Sequence, residues 1–477
     1  MLFRSALLGT TALVMAGPAM AGDIRPVVDV STELANDLRG LTWAADGKIY
    51  VSGHVGTANE ETRTVVGRFN ADGTPDTSFS DDGFVEVDLA PGRQEQSLTI
   101  AELAGGDVVT AVNAVDEDKG QSVYLLRFDS TGKQKVAPAW GDEQGRVEVV
   151  FGWPNAQNES YPGVETPPVD NAWDVIVDRS GGGERLVIVG FGPAPEGTGR
   201  TDNDRYVLRL NAADGTPDTS FNGGKPFSYH SAATFGDNAR RAVVEPDGSI
   251  LAAGYTNLGD LGTHVLLLRL TPAGTLDQSF GNFIEPATSG ESVGLKPQPG
   301  VAVFNPFAAD GGFAECYGFV KLSDGSYVTT GYGGATGKGV PSTLGFKTST
   351  APDVGSFKLT PGGTALDRSW GNNGILAIQS EEAGQPTAED RTRALVPLAD
   401  DRTVQVGRYG GIAAVFVVTP QGRLDTSVDG DGIIQLGHPK IDAQFFNAAL
   451  SADGKHVAAT TNANPGGARL VVLEVQD

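Results

Sequence analysis

The feature that most constrains this chain is a phrase it repeats seven times. An apolar run, an Asp-Gly-type turn and a second apolar run ending in glycine appear first at Leu41-Thr42-Trp43-Ala44-Ala45-Asp46-Gly47-Lys48-Ile49-Tyr50-Val51-Ser52-Gly53. The turn recurs at Gly105-Gly106, Ser180-Gly181, Asp247-Gly248, Asp324-Gly325, Asp400-Asp401 and Asp453-Gly454. Two β-rich runs joined by such a turn read as a hairpin. Anchored at 46, 105, 180, 247, 324, 400 and 453, the hairpins are spaced by 53 to 77 residues.

A second phrase follows most hairpins. A strand ends in a basic-apolar pair, then comes a turn, an Asp, an aromatic, a Gly and another strand. Arg68-Phe69 through Asp76-Thr77-Ser78-Phe79 and Arg209-Leu210 through Asp218-Thr219-Ser220-Phe221 are near duplicates. Arg269 to Phe280, Lys358 to Trp370 and Thr419 to Val428 follow the pattern, and Arg127-Phe128 to Trp140-Gly141 is a degenerate copy. Each unit is therefore four strands, a to d, with a–b joined by the Asp-Gly turn and c–d by the Asp-rich loop. Sets of four short antiparallel strands at a long period describe propeller blades. The expected class is all-β, a seven-bladed propeller over 22–477 as one domain.

Closure supports the count. The seventh unit ends at Leu470 to Val475, a strand c with no d after it, while Ile24 to Val30 precedes the first hairpin without a partner. The N-terminal strand is expected to complete the last blade and leave no open edge.

The phrases resemble the delta-60 repeat, an uncharacterised β-propeller repeat family common in secreted bacterial proteins. The resemblance covers nearly all of the chain after residue 21 and implies the fold. It implies no single activity.

Residues 1–21 read as a secretory signal peptide: Arg4 supplies the positive start, Ala6 to Ala16 is mostly apolar, and Ala19-Met20-Ala21 is the cleavage site. The expected location is the periplasm or the exterior of a Gram-negative-type cell. No later stretch is apolar enough for insertion into a membrane. A formal charge of −24 disfavours nucleic acid and points to a monomer. Cys316, the one cysteine, excludes an internal disulfide framework and a thiolate zinc site.

Five long, Gly- and Pro-rich connections, 151–171, 192–204, 281–315, 333–354 and 380–390, are expected as b–c or d–a links on one face of the ring. Nine residues upstream of each hairpin anchor stands a polar column: Asp37, Gln96, Asn171, Asn238, Glu315, Arg391 and Gln444. Two residues later it reads Arg39, Leu98, Trp173, Arg240, Tyr317, Arg393 and Phe446. Innermost strands face the axis, so both columns are expected at the channel mouth on the face with the long connections. Such a ring can hold a carboxylate, a phosphate or a sugar, or simply line a water-filled channel.

Other signals are weaker. Asp72, Asp76, Asp429 and Asp431 have the oxygen ligands Ca²⁺ takes, but Asp before Gly, Thr or Pro is first of all turn chemistry. No organic cofactor is expected. Gly290-Glu291-Ser292-Val293-Gly294 matches a nucleophile-elbow string outside its strand–turn–helix context. His54 ends a strand near the loop face; His230, His264, His438 and His456 read as surface or turn residues. Cys316 reads as a buried thiol. The leading function is a binding or interaction propeller for a protein, glycan or small ligand. The alternatives are a propeller enzyme (hydrolase, lyase or oxidoreductase) with its site at the channel mouth and a structural part of a cell-surface assembly.

Overall fold

The computed structural model describes residues 24–32, 35–56, 61–116, 120–152, 169–200, 202–231, 236–334, 342–346, 352–380, 389–436, 444–462 and 467–476. The expected signal segment lies outside them. So do 153–168, 335–341, 347–351 and 381–388 of the long connections.

Seven sheets follow one another round a ring, six with four strands and one with five. Strands a are Asp37–Trp43, Glu95–Glu102, Asn171–Asp178, Asp237–Val244, Phe313–Lys321, Arg391–Pro397 and Phe445–Leu450, in blades 1 to 7. Blade 1 is typical: Asp37–Trp43 pairs with Ile49–Gly56, that with Thr62–Phe69, and that with Phe84–Val87, all antiparallel. The apolar core lies between blades, where faces such as those of Val404, Val406, Val415 and Val417 meet Phe445, Val457 and Val471 of the next sheet.

The ring closes as the unpaired ends require. Ile24–Thr32 is antiparallel to Ala468–Val475 from Ile24↔Val475 to Thr32↔Ala468 and becomes the outer strand of blade 7. Val28 and Val30 are buried against Leu470, Val472 and the blade 1 core, and Arg25 pairs with Glu474 at 2.9 Å.

The Asp-rich loops are structural joints. In blade 1 the Asp76 carboxylate accepts from Ser78 N and Oγ on one oxygen, while Arg68 Nε and Lys48 Nζ lie 2.9 and 3.1 Å from the other. Asp218 with Arg209, Asp277 with Arg269 and Asp367 with Lys358 repeat the clamp. In blade 6, which lacks the strand c base, Arg402, just before strand b, takes Asp425 instead. The loop aromatics Phe79, Phe221, Phe280 and Trp370 are buried, and the turn glycines Gly274, Gly363 and Gly422 of the following blades sit on the last three rings. A Cβ on Gly422, whose φ is 78°, would lie 2.5 Å from the Trp370 ring.

Blade 4 corrects one expectation. Its strand d is Val301–Phe304, not the stretch just after Phe280. Residues 281–300 belong to the c–d connection: Phe283–Glu285 adds a fifth strand parallel to Val301–Phe304, and a short helix, Ala287–Val293, follows. Most of 281–315 is thus built onto the blade's outer edge, and only the part after Phe304 is a d–a link. The Gly290–Gly294 string falls in that helix and its cap rather than on a strand–turn–helix elbow.

Candidate functional site

Every blade bends its innermost strand at the same place. The a–b register slips between Leu38 and Gly40, Ser97 and Thr99, Ala172 and Asp174, Ala239 and Arg241, Cys316 and Gly318, Thr392 and Ala394, and Phe445 and Asn447. The residue left over in each slip is the second sequence column: Arg39, Leu98, Trp173, Arg240, Tyr317, Arg393 and Phe446. A β-bulge re-aims the extra side chain, and here seven bulges deliver one residue per blade to a single point. All seven line one small void of about 20 Å³ together with Arg241.

The bulge also accounts for the glycine that ends the hairpin phrase. A Cβ on Gly53 would lie 1.7 Å from the Asp37 carbonyl oxygen; on Gly407 it would lie 2.0 Å from that of Arg391. Gly190, Gly254 and Gly331 face the same obstruction at 1.9, 2.0 and 2.0 Å. Val112 and Thr461 hold this place in blades 2 and 7, so a modest backbone shift accommodates a side chain there.

Delivered to the axis, the guanidiniums and rings alternate. Arg39 lies over Phe446 at 4.3 Å, Arg393 over Phe446 at 5.8 Å and over Tyr317 at 4.2 Å. Arg240 lies over Tyr317 at 5.1 Å and over Trp173 at 3.7 Å. Such stacks contribute about 0.5–2 kcal/mol each, more when water is excluded. The belt therefore stacks across the channel and narrows it to that small void.

The first column stands two residues before the belt. Asp37 accepts from Arg39 Nε at 2.8 Å, Tyr317 Oη donates to Glu315 Oε2 at 3.1 Å, and Arg391 pairs with Glu389 and covers Tyr332 at 4.8 Å. Gln96, Asn171, Asn238 and Gln444 are partly exposed in the same row. Strand b adds two phenols that the columns missed: Tyr332 Oη lies 3.2 Å from Tyr317 Oη, and Tyr255 Oη accepts from Arg240 Nη2 at 2.5 Å. Burial pushes the Tyr255 phenol up to about 12, against the pull of Arg240, so it stays protonated.

One residue further upstream is a row that sequence reasoning passed over. Glu95, Asp170, Asp237 and Asp390 are all buried. Glu95 accepts from Thr64 N, Leu89 N and Ala90 N, tying blade 2 to blade 1; Asp390 accepts from Ser380 N and Gly410 N. Asp237, raised to about 6 by desolvation against the pull of Arg205, accepts from Ser231 N and Oγ. Arg205 is itself buried, with its Nη1 on the Leu266 carbonyl at 3.1 Å. An acid immediately before the polar column was the available signal.

Beyond the belt the axis opens toward the a–b turns into a cavity of about 360 Å³. Thr99, Asp174, Arg241 and Asn447 lie at its inner end, and Trp43, Glu102 and Arg179 also line it. Asp174 accepts from Thr99 Oγ1 at 3.0 Å, from Ala242 N at 3.1 Å and from Arg241 Nη1 at 3.4 Å.

The remaining candidates are dispersed. Asp72 accepts from Thr74 N and Oγ1, and Asp431 from Ile433 N; Asp429 holds a turn at φ 50°. Among the described residues no group of three or more His, Cys, Asp and Glu is placed to hold a metal ion. Cys316 is buried, and desolvation pushes its thiol up to about 12. His264, expected at the surface, is fully buried instead; desolvation holds it down to about 4, and its Nδ1 lies 3.2 Å from the Gly262 carbonyl.

A family model described as "Domain of unknown function (DUF5122) beta-propeller" matches residues 44–79, 197–221 and 245–280. These stretches are similar to the repeats of a β-propeller family of unknown function. Each ends on the buried aromatic of a c–d loop. No curated protein matches the chain. Among solved structures, a protein of unknown function from Dyadobacter fermentans is 12% identical, with 95% of this chain and 99% of that one covered and a TM-score of 0.42. A Lactobacillus plantarum protein is 14% identical over 90% and 96%, at a TM-score of 0.38. A soluble aldose sugar dehydrogenase from Escherichia coli is 12% identical over 79% and 95%, at 0.36.

Proposed function

We propose that this chain is a binding propeller of the delta-60 type, exported to the periplasm or the cell exterior. It holds an acidic small molecule or glycan on the face where strands a begin. One observation carries the reading. The floor of that face sets Arg391 and the phenols of Tyr255, Tyr317 and Tyr332 beside Arg240 and Arg393, which have no carboxylate partner among the described residues. Phenols and guanidiniums together suit a ligand with both a flat or ring-shaped body and an anionic group. The b–c connection after Pro193 and the d–a connection at 305–312 leave from strand ends on this same face. Ca²⁺ is not needed by this reading.

The test is a calorimetric screen of the protein with carboxylated, phosphorylated and neutral saccharides and matched small acids. Binding is expected only among the anionic members, and Arg391→Ala should weaken it by about tenfold or more, the worth of a charge-assisted hydrogen bond. Hits that bind Arg391→Ala and a Tyr255→Phe, Tyr332→Phe double variant as tightly as the parent contradict it.

The cavity beyond the belt favours a second reading, a small-ligand or catalytic site at the other end of the channel. Asp174 and Arg241 would be its polar groups. Binding abolished by Arg241→Ala and untouched by Arg391→Ala would select it.

A further inference from the structure

The belt void has a mismatch in its hydrogen bonding. Arg240 is 8% exposed, and its Nε and Nη1 have no partner; its hydrogen bond among the described residues is the one from Nη2 to Tyr255. Trp173 Nε1 and Arg393 Nε are buried and unpartnered in the same ring. Every orphan among the residues lining the void is a donor. Their charge is also unbalanced. Arg39 has Asp37 and Arg241 has Asp174, whereas Arg240 and Arg393 make no ion pair among the described residues. Their π-stacks cover the guanidinium faces and leave the N–H edges unanswered.

A void of about 20 Å³ holds a single small particle, since one water needs about 10–15 Å³. Water is a poor fit. It accepts two hydrogen bonds at most and must place two hydrogens of its own, where the unsatisfied lining atoms only donate. A polyatomic oxyanion is too large. A monatomic anion accepts from several donors, needs none in return, and supplies the charge a buried guanidinium lacks. We infer that the axis of the ring binds one halide ion, chloride in ordinary media, between Arg240, Arg393 and the Trp173 indole. The ion locks the seven bulges together, and it shares Arg240 and Arg393 with the floor of the face above it.

The test uses bromide. Crystals grown or soaked in NaBr are measured at the bromine absorption edge. Thermal unfolding is then followed in NaBr or NaCl against sodium gluconate at equal ionic strength. The site predicts an anomalous peak inside the belt and a melting temperature that climbs with the logarithm of halide concentration but not with gluconate. Arg240→Met should remove the peak and the dependence. Trp173→Phe, which keeps a ring in place, should require about tenfold more bromide for the same shift. Overturning results are a belt occupied by water alone in NaBr, halide-independent melting of the parent protein, or an equal peak in Arg240→Met.

Discussion

Replacing Val28 and Val30 together by alanine tests whether the N-terminal strand is a fastening or a decoration. Both side chains are buried, at 8% and 1% exposure, beneath Leu470 and Val472 and against the core of blade 1. A Cβ on Gly73, in the blade 1 turn, would lie 2.2 Å from Val28 Cγ1, which shows how tightly that turn rests on the strand. Each change removes two buried methyl-sized groups, about 1.5 kcal/mol of transfer free energy, and leaves a cavity that raises the loss to about 2 kcal/mol. The pair should cost about 4 kcal/mol. With an unfolding entropy of roughly 2.1 cal/mol/K per residue, a cooperative ring of this size has about 1 kcal/mol/K, so the melting temperature falls by about 4 °C. Scanning calorimetry should show one transition shifted as a whole. Val136→Ala, at an exposed position, is the control and should not move it. An unshifted transition, or a small early transition that leaves the main one in place, would refute the closure.

Three further outcomes follow from the joints described. Asp76→Asn should destabilise the protein by about 2 kcal/mol, because Arg68 and Lys48 lose their acceptor. Despite partial burial, the Ser78 hydrogen bonds and the Lys48 and Arg68 charges hold this carboxyl down to about 2. Its contribution is therefore complete above about pH 4 and is lost as pH falls toward 2, and the stability gap to the variant should close over that window. His264 titrates the other way round for a base: neutral when folded, it must be protonated on acidification. Relative to His264→Phe the parent should lose stability on the order of 3 kcal/mol as pH drops from about 6.5 to about 4, measured by urea unfolding; a constant gap would refute it. Gly407→Ala forces a Cβ to within 2.0 Å of the Arg391 carbonyl and should lower stability by about 1–3 kcal/mol in the same assay.

The hairpins and their number were legible because Asp-Gly turns report directly on backbone conformation. Asp46, Asp247 and Asp324 each accept from the amide two residues on, as turn chemistry demands. Closure was legible because an unpaired strand at each end leaves an exposed edge. The blade 4 excursion was not, since the Gly- and Pro-rich composition of 281–300 is the same for a loop and for a short parallel edge strand. For the site, the second column named the seven residues that the structure gathers at the axis, but not how they pack there. Six basic and aromatic side chains and a leucine at one strand position look alike whether they line an open mouth or stack across it. That is decided by the bulge, which leaves its own mark only in the hairpin glycines such as Gly53 and Gly331. Glu95, Asp237 and Asp390 were overlooked because an acid at a strand start reads as solvated until the amides it caps are in place.

Hydrogen exchange of the protein with and without a ligand recovered from the anionic panel tests the binding assignment most directly, because it shows which end of the channel is covered. Added protection is expected at the starts of strands a and the neighbouring strand b residues, at 315–317, 391–393, 255 and 332. Protection confined to the other end, at 42–46, 99–103 and 174–179, would contradict it.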